Sequence, residues 1–210
     1  MTLNHSEEKR LLEEGLNDKD PQERKRSLQS FSKKIHNDNG DVIVNGVDLE
    51  WSVPILIRAL DDSEEHVRQD AIWLLRDTVD EDYKDPRILN AVLPCLSDPS
   101  SRVISDTIDL LGDLENPEAI EVLSEILKHN PDQSLRKAAV DAIHDICEEN
   151  EEVDPTGLMA TFIEILKDDS ADYMLTNRAY NFCYWGPCDW EDIPEVKTAL
   201  EHCLNSGRYG

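Results

Sequence analysis

Apolar residues along this chain fall in paired stretches at helical spacing, each pair split by a short acidic turn. Segment 56–79 reads LIRALDDSEEHVRQDAIWLLRDTV, and segment 92–114 reads VLPCLSDPSSRVISDTIDLLGDL. Segments 122–147 and 158–185 follow the same plan, and 11–35 opens the chain with a degenerate copy. In each, an apolar helix leads through an Asp-rich turn into a second helix with a small or apolar residue at its centre: Leu28, Ala71, Thr107, Ala139 and Ala179. The centres recur at intervals of about 32 to 43 residues, the length of a two-helix repeat. Within the second unit, a period of 3.6 puts Val67, Ala71, Leu74, Leu75 and Thr78 on one buried stripe. Asp or Asn precedes Pro at Asp20-Pro21, Asp85-Pro86, Asp98-Pro99, Asn116-Pro117, Asn130-Pro131 and Asp154-Pro155. Such a pair starts a helix, because the Asx side chain accepts from the first free N–H groups and proline gives up a donor that had no partner.

The pattern predicts an all-α solenoid, or superhelix, of about five two-helix repeats in one domain spanning 1–210. The repeats are placed at approximately 8–35, 53–79, 87–114, 118–148 and 156–185. A loop or small β-hairpin is expected over 36–50, where two Asn-Gly pairs bracket Val42-Ile43-Val44. A last amphipathic helix over 192–205, with Val196, Leu200 and Leu204 on one stripe, is expected to cap the array.

Two stretches carry a family resemblance. Val92-Leu93-Pro94-Cys95-Leu96-Ser97-Asp98-Pro99-Ser100-Ser101-Arg102-Val103, followed by Leu110-Leu111-Gly112-Asp113-Leu114, closely resembles the HEAT pattern. So does Leu60-Asp61-Asp62-Ser63-Glu64-Glu65-His66-Val67-Arg68-Gln69-Asp70-Ala71. The resemblance to the HEAT and HEAT-like (PBS-lyase-type) repeats covers residues 8–185 and implies a ladder between repeats, from the turn Asp and an Arg near the start of the second helix. Asp18 with Arg24 and Asp62 with Arg68 match that pattern. Arg136 takes the Arg place in the fourth unit, where the turn is read as carrying His129; in the third unit Asp98 meets Val103-Ile104, so the ladder is expected to break there.

In such arrays the second helices lie side by side and line the concave surface. Registered on their central residues, they put Asp70, Trp73 and Asp77 of the second unit opposite its buried stripe. The third unit places Asp106, Asp109 and Asp113 there, the fourth Ala138, Asp141 and Asp145, and the fifth Arg178, Asn181 and Trp185; the first places Ser27, Ser30 and Lys34. Exposed Asp is a poorer interior helix former than Glu, and an exposed Trp is costly without a use. The expected partner-binding residues are therefore Asp70, Trp73, Asp77, Asp106, Asp109, Asp113, Asp141, Asp145, Asn181 and Trp185.

Charge sharpens this expectation. The net charge is −25, and the acidic excess lies almost wholly beyond the first 34 residues. Such a body repels nucleic-acid phosphate and anionic lipid, and suits a protein partner with a basic surface or segment. No apolar run reaches the length of a transmembrane helix, and the N-terminal residues lack the pattern of a secretory signal, so a cytoplasmic location is expected. Five cysteines, an odd number, fit a reducing compartment with buried thiols.

Catalytic patterns are weak. No phosphate-cradling glycine loop occurs. The His-Glu pairs of the di-iron hydroxylases among HEAT-like proteins are missing, since Glu65-His66 and Glu201-His202 run in the reverse order. Tyr184-Trp185-Gly186-Pro187-Cys188 lacks the first cysteine of a redox Cys-x-x-Cys. Cys183, Cys188 and His202-Cys203 match no common zinc spacing. The expectation is a non-catalytic adaptor or scaffold, without cofactor or metal. The alternatives are a neutralising immunity protein against a basic toxin or nuclease, and a lyase-like factor or enzyme subunit.

Overall fold

Five interhelical turns close on the same hydrogen bond. A side-chain oxygen of Asp18 accepts from the Asp20 N–H, Asp62 from Glu64, Asp98 from Ser100, Asn130 from Asp132 and Asp168 from Ser170, all at 2.8–2.9 Å. Each is an Asx turn, in which the side chain satisfies a backbone donor that the reversing chain leaves free. The acidic turns of the sequence pattern are thus a device for joining helices at short range. In the fourth unit the acceptor is Asn130 and not His129.

The computed structural model describes residues 5–35, 49–79, 84–186 and 190–207, and among them every regular element is helical. The chain divides into two compact units, Met1–Leu110 and Leu111–Gly210. The first unit holds α1 (His5–Leu16), α2 (Pro21–Ile35), α3 (Leu49–Ala59), α4 (Glu65–Arg76), α5 (Pro86–Val92) and most of α6 (Ser101–Asp113). Here α1 packs on α3 and α3 on α5, while α2 packs on α4, so first and second helices form separate layers. The second unit holds the end of α6, then α7 (Ile120–His129), α8 (Gln133–Glu149), α9 (Met159–Lys167), α10 (Tyr173–Trp185) and α11 (Pro194–Asn205). Its helices pack as the hairpins α7–α8 and α9–α10, with α8 on α10 and α11 against α9 and α10.

The residues chosen as repeat centres, Leu28, Ala71, Thr107, Ala139 and Ala179, are all fully buried, and so is the stripe Val67, Ala71, Leu74, Leu75 and Thr78. Each large aliphatic side chain buried in this way contributes about 1.5–3 kcal/mol. The buried threonines satisfy their own hydroxyls: Thr78 donates to the Leu75 carbonyl at 2.6 Å and Thr107 to the Val103 carbonyl at 2.7 Å.

The Arg–Asp ladder is present and is offset by one repeat. Arg24 forks onto Asp62 at 2.6 and 2.8 Å, and Arg68 onto Asp98 at 2.6 and 2.8 Å. Each arginine also donates back to its own turn, Arg24 to the Asp18 carbonyl and Arg68 to the Asp62 carbonyl. The pairs therefore run from one repeat to the next and not within a repeat, and Asp98 is a rung. In the third unit Ile104 stands six residues past the turn Asp98, where Arg24 and Arg68 stand relative to Asp18 and Asp62, and the next turn carries the neutral Asn130. Arg136 donates instead to the Leu127 carbonyl at 2.8 Å.

Several boundaries differ from those expected. Helix α3 begins at Leu49, inside the stretch 36–50 read as a loop or hairpin, and Pro54 lies within it. Buried Ser52 and Val53, and Trp51 set edge-on to Phe31 at 5.8 Å, belong to the helix ahead of residue 53, where the repeat was expected to begin. Residues 36–48 of that expected insertion lie outside the described residues. Helix α5 gives way at Leu93 to a 3-10 turn, Leu93–Ser97, because Pro94 has no N–H to continue the α-ladder. Of the six Asx-Pro pairs, those at Asp20, Asp85, Asn116 and Asp154 start helical segments. Asp98 and Asn130 belong to interhelical turns, where the same acceptor geometry serves a reversal. In α11 the buried stripe is Val196, Ala199, Leu200 and Cys203, while Leu204 is exposed, because the i, i+3, i+4, i+7 face is the one that meets α9 and α10.

Candidate partner-binding face

In the first unit, α4 carries Asp70 and Trp73, with Asp77 as its C-cap residue, at spacings of three and four that put them on one side of the helix. Trp73 is 53% exposed. Asp106 and Asp109 on α6 are set beside α4 by two contacts: Gln69 donates to Asp106 at 2.8 Å, and the Arg76 guanidinium lies 3.9 Å from Asp109. Asp70, Trp73 and Asp77 also line a cavity of about 300 Å³, floored by Leu28 and Leu74 and walled on the α2 side by Gln29, Ser32 and Lys33. One oxygen of Asp70 is buried without a hydrogen-bond partner. Burial holds this carboxyl above the usual carboxylate range, and the charges of Lys25 and His66 only partly offset it.

In the second unit, Gly112 lets α6 approach α8 closely: a Cβ there would lie 3.1 Å from the Ala142 Cα and 3.5 Å from an oxygen of Asp145. The approach gathers Asp113, Asp141 and Asp145. Partial desolvation raises the Asp145 carboxyl, His144 opposes the shift, and the like charges of Asp141 and Asp113 add to it. Asp141 is already engaged, with Arg178 of the next repeat at 3.1 Å and Lys137 at 3.2 Å. Asn181 donates to Asn177 at 3.3 Å. Trp185, 72% exposed at the end of α10, stands edge-on to Tyr184 at 4.6 Å, and Tyr184 stacks on Tyr180.

The ten expected residues thus fall into two groups, one in each unit, and they are not equivalent. Asp141 and Asp109 face cations of their own chain, whereas Asp70 has an oxygen left over. Sequence reasoning missed the α2 wall of the cavity. Part of its signal was available, since Gln29 and Lys33 are sequence neighbours of Ser30 and Lys34, two of the positions registered in the first repeat. Arg178 was registered one turn away from the place where it meets Asp141, so their pairing was hidden.

Among the described residues no group of three or more His, Cys, Asp or Glu side chains is placed to hold a metal ion. Cys183 and Cys203 are fully buried core residues, and desolvation pushes the Cys183 thiol up to about 12. Cys188 lies outside the described residues. No described helix is long and apolar enough to cross a membrane.

Comparison with known proteins agrees with this architecture. Residues 53–144 match the family model of HEAT repeats. No curated protein matches the chain. Among solved structures, an engineered protein is similar at 15% identity, covering 97% of this chain and 96% of its own, with a TM-score of 0.60. A designed armadillo repeat protein in complex with the peptide (KR)4 is similar at 20% identity, covering 95% and 90%, with a TM-score of 0.60. Computationally designed armadillo repeat proteins for modular peptide recognition are similar at 18% identity, covering 94% and 98%, with a TM-score of 0.57. Residues 53–144 are therefore similar to HEAT repeats, and the all-helical repeat fold continues on both sides of them.

Proposed function

We propose that this chain is a non-catalytic interaction scaffold that binds a cationic segment of another protein along its acidic second helices. The observation that carries the reading is the exposed Trp73 set among Asp70, Asp77, Asp106 and Asp109 in the first unit. Helical repeat folds serve as interaction scaffolds, and extended rows of side chains suit them to linear partners. One fold neighbour holds the peptide (KR)4, which makes a Lys/Arg segment a natural first probe. A chain of net charge −25 favours such a segment over anionic ligands and raises its association rate at low salt.

The test is a titration with a fluorescent eight-residue Lys/Arg peptide at a series of salt concentrations. The expected result is binding that weakens steeply with salt and is lost when Asp77, Asp106 and Asp109 of the first unit are changed together to Asn. Absence of binding at low salt, or equal binding by an uncharged peptide, would overturn the proposal.

A further inference from the structure

We infer that the cavity between α2 and α4 is a receptor for a single arginine side chain presented by the partner. The inference rests on the cationic-segment reading above and adds the residue it selects and the place where it is held.

Three features converge there. First, the cavity is a concave space of about 300 Å³ with an apolar floor, Leu28 and Leu74, and polar walls. That is at the lower end of the range for small-ligand sites and suits one long side chain rather than a backbone segment. Second, Asp70 sits in it with one oxygen buried and unpartnered, and with its charged form disfavoured by burial. An ionised carboxylate held that way lowers the stability of the free protein, and a cation seated in the cavity offsets that cost through its charge. Third, Trp73, three residues on from Asp70, lines the same cavity and leaves half of its surface to solvent. An indole face attracts a cation within about 6 Å of its centre.

The combination selects arginine over lysine. A guanidinium is planar and weakly hydrated, so it can lie flat on the Trp73 indole while its edge donates to a carboxylate. Ammonium is a compact, strongly hydrated point charge and gains little from a stacking surface. Lys33, exposed on the α2 wall, repels either cation, so the site needs the stacking contribution as well as the charge. Asp77, four residues beyond Trp73, completes the acidic side of the mouth.

The experiment compares two eight-residue peptides, one alternating Arg with Ser and the other Lys with Ser, against the full chain. Binding is followed by the indole N–H resonance of Trp73 and by calorimetry. Wild type is expected to bind the Arg peptide about fivefold to tenfold more tightly than the Lys peptide, with the Trp73 resonance moving. Trp73→Ala and Asp70→Asn are each expected to cut Arg-peptide affinity about tenfold and to abolish the preference. The melting temperature of each variant separates this from misfolding, and Asp70→Asn is expected to melt no lower than wild type. If wild type binds both peptides equally and neither variant changes that, the arginine receptor is wrong while the acidic scaffold stands. If wild type binds neither peptide, both readings fall.

Discussion

The two units hold their repeats together by different chemistry. In residues 1–110 successive repeats are tied by forked ion pairs, Arg24 to Asp62 and Arg68 to Asp98, whose side chains are between 6% and 11% exposed. In residues 111–210 the ion pair between repeats is the part-exposed Arg178 with Asp141 at 3.1 Å, and packed rings hold the last repeat to the chain that follows it: Phe162 stacks on Phe182 at 4.5 Å, and the buried Trp190 meets both at 5.6–5.8 Å. There the turn preceding α10 is tied to α8 through the Gln133 carboxamide, which accepts from the Asp172 N–H. A charged fork is directional and fixes which atoms meet, but it carries a desolvation cost; stacked rings bury more apolar area and tolerate small slides. The same repeat plan therefore reaches stability by two routes with different dependence on pH and salt.

The largest effect is expected from Phe182→Ala, which empties the centre of the aromatic cluster. It should cost about 3–5 kcal/mol. Hydrogen exchange should show lost protection within 111–210, with α2 and α4 remaining protected; equal loss in both units would mean that they fold as one cooperative block.

Next comes Arg68→Met. It leaves Asp98 buried without its fork, at an expected cost of about 3 kcal/mol in denaturant titrations at neutral pH. Burial alone would raise Asp62 and Asp98, but the arginine forks and turn N–H groups outweigh it and hold both below the usual carboxylate range. Their contribution is thus complete above about pH 4 and is lost as pH falls through their lowered values. The variant should unfold with a flatter acid limb than wild type, while Phe182→Ala keeps the steep one. Parallel acid limbs in the two variants would erase the distinction between the units.

A smaller cost is expected at Gly15→Ala in the first hairpin, because a Cβ there would lie 2.6 Å from the Ser27 Cβ. The expected loss is about 1–3 kcal/mol, partly restored by adding Ser27→Gly; a neutral result would show that α1 can move away from α2 freely.

The smallest effect has the opposite sign. Because burial raises the Asp70 carboxyl, its penalty is present at neutral pH and is relieved as pH falls through that raised value. Asp70→Asn should raise the melting temperature by roughly 1–3 °C at pH 7 and leave it unchanged below about pH 4. A lower melting temperature at pH 7 would mean that the carboxylate has a structural partner.

Apolar periodicity is a strong signal, and it located all five buried centres and the two-helix repeat. It failed where the backbone answers to something other than pattern. Pro54 sits inside α3 because tertiary burial of Ser52 and Val53 outweighs the proline, and Pro94 breaks a helix that its apolar neighbours would continue. The ladder between repeats was legible from the resemblance, but its register was not: a break was expected at the third repeat, whose Asp98 receives Arg68. A six-residue spacing from turn Asp to Arg is the same in every matching unit, so it cannot say whether the arginine turns to its own aspartate or to the next. The acidic second helices were legible by register, but register is one-dimensional. It could not show that Arg178 reaches Asp141, or that α2 supplies the far wall of the cavity around Trp73.

The offset of the ladder gives the repeats a grammar. Each arginine speaks to the turn that follows, so the repeats are links with a hook at one end and an eye at the other. Cutting out the second repeat would leave the hook Arg24 facing the eye Asp98, and the chain of rungs would close again. Cutting out the third would leave Arg68 facing Asn130, a turn with no charge to receive it. Deletion of a repeat is then expected to depend on position: loss of the second repeat keeps a partner for the remaining arginine, and loss of the third leaves a buried guanidinium without a charged one.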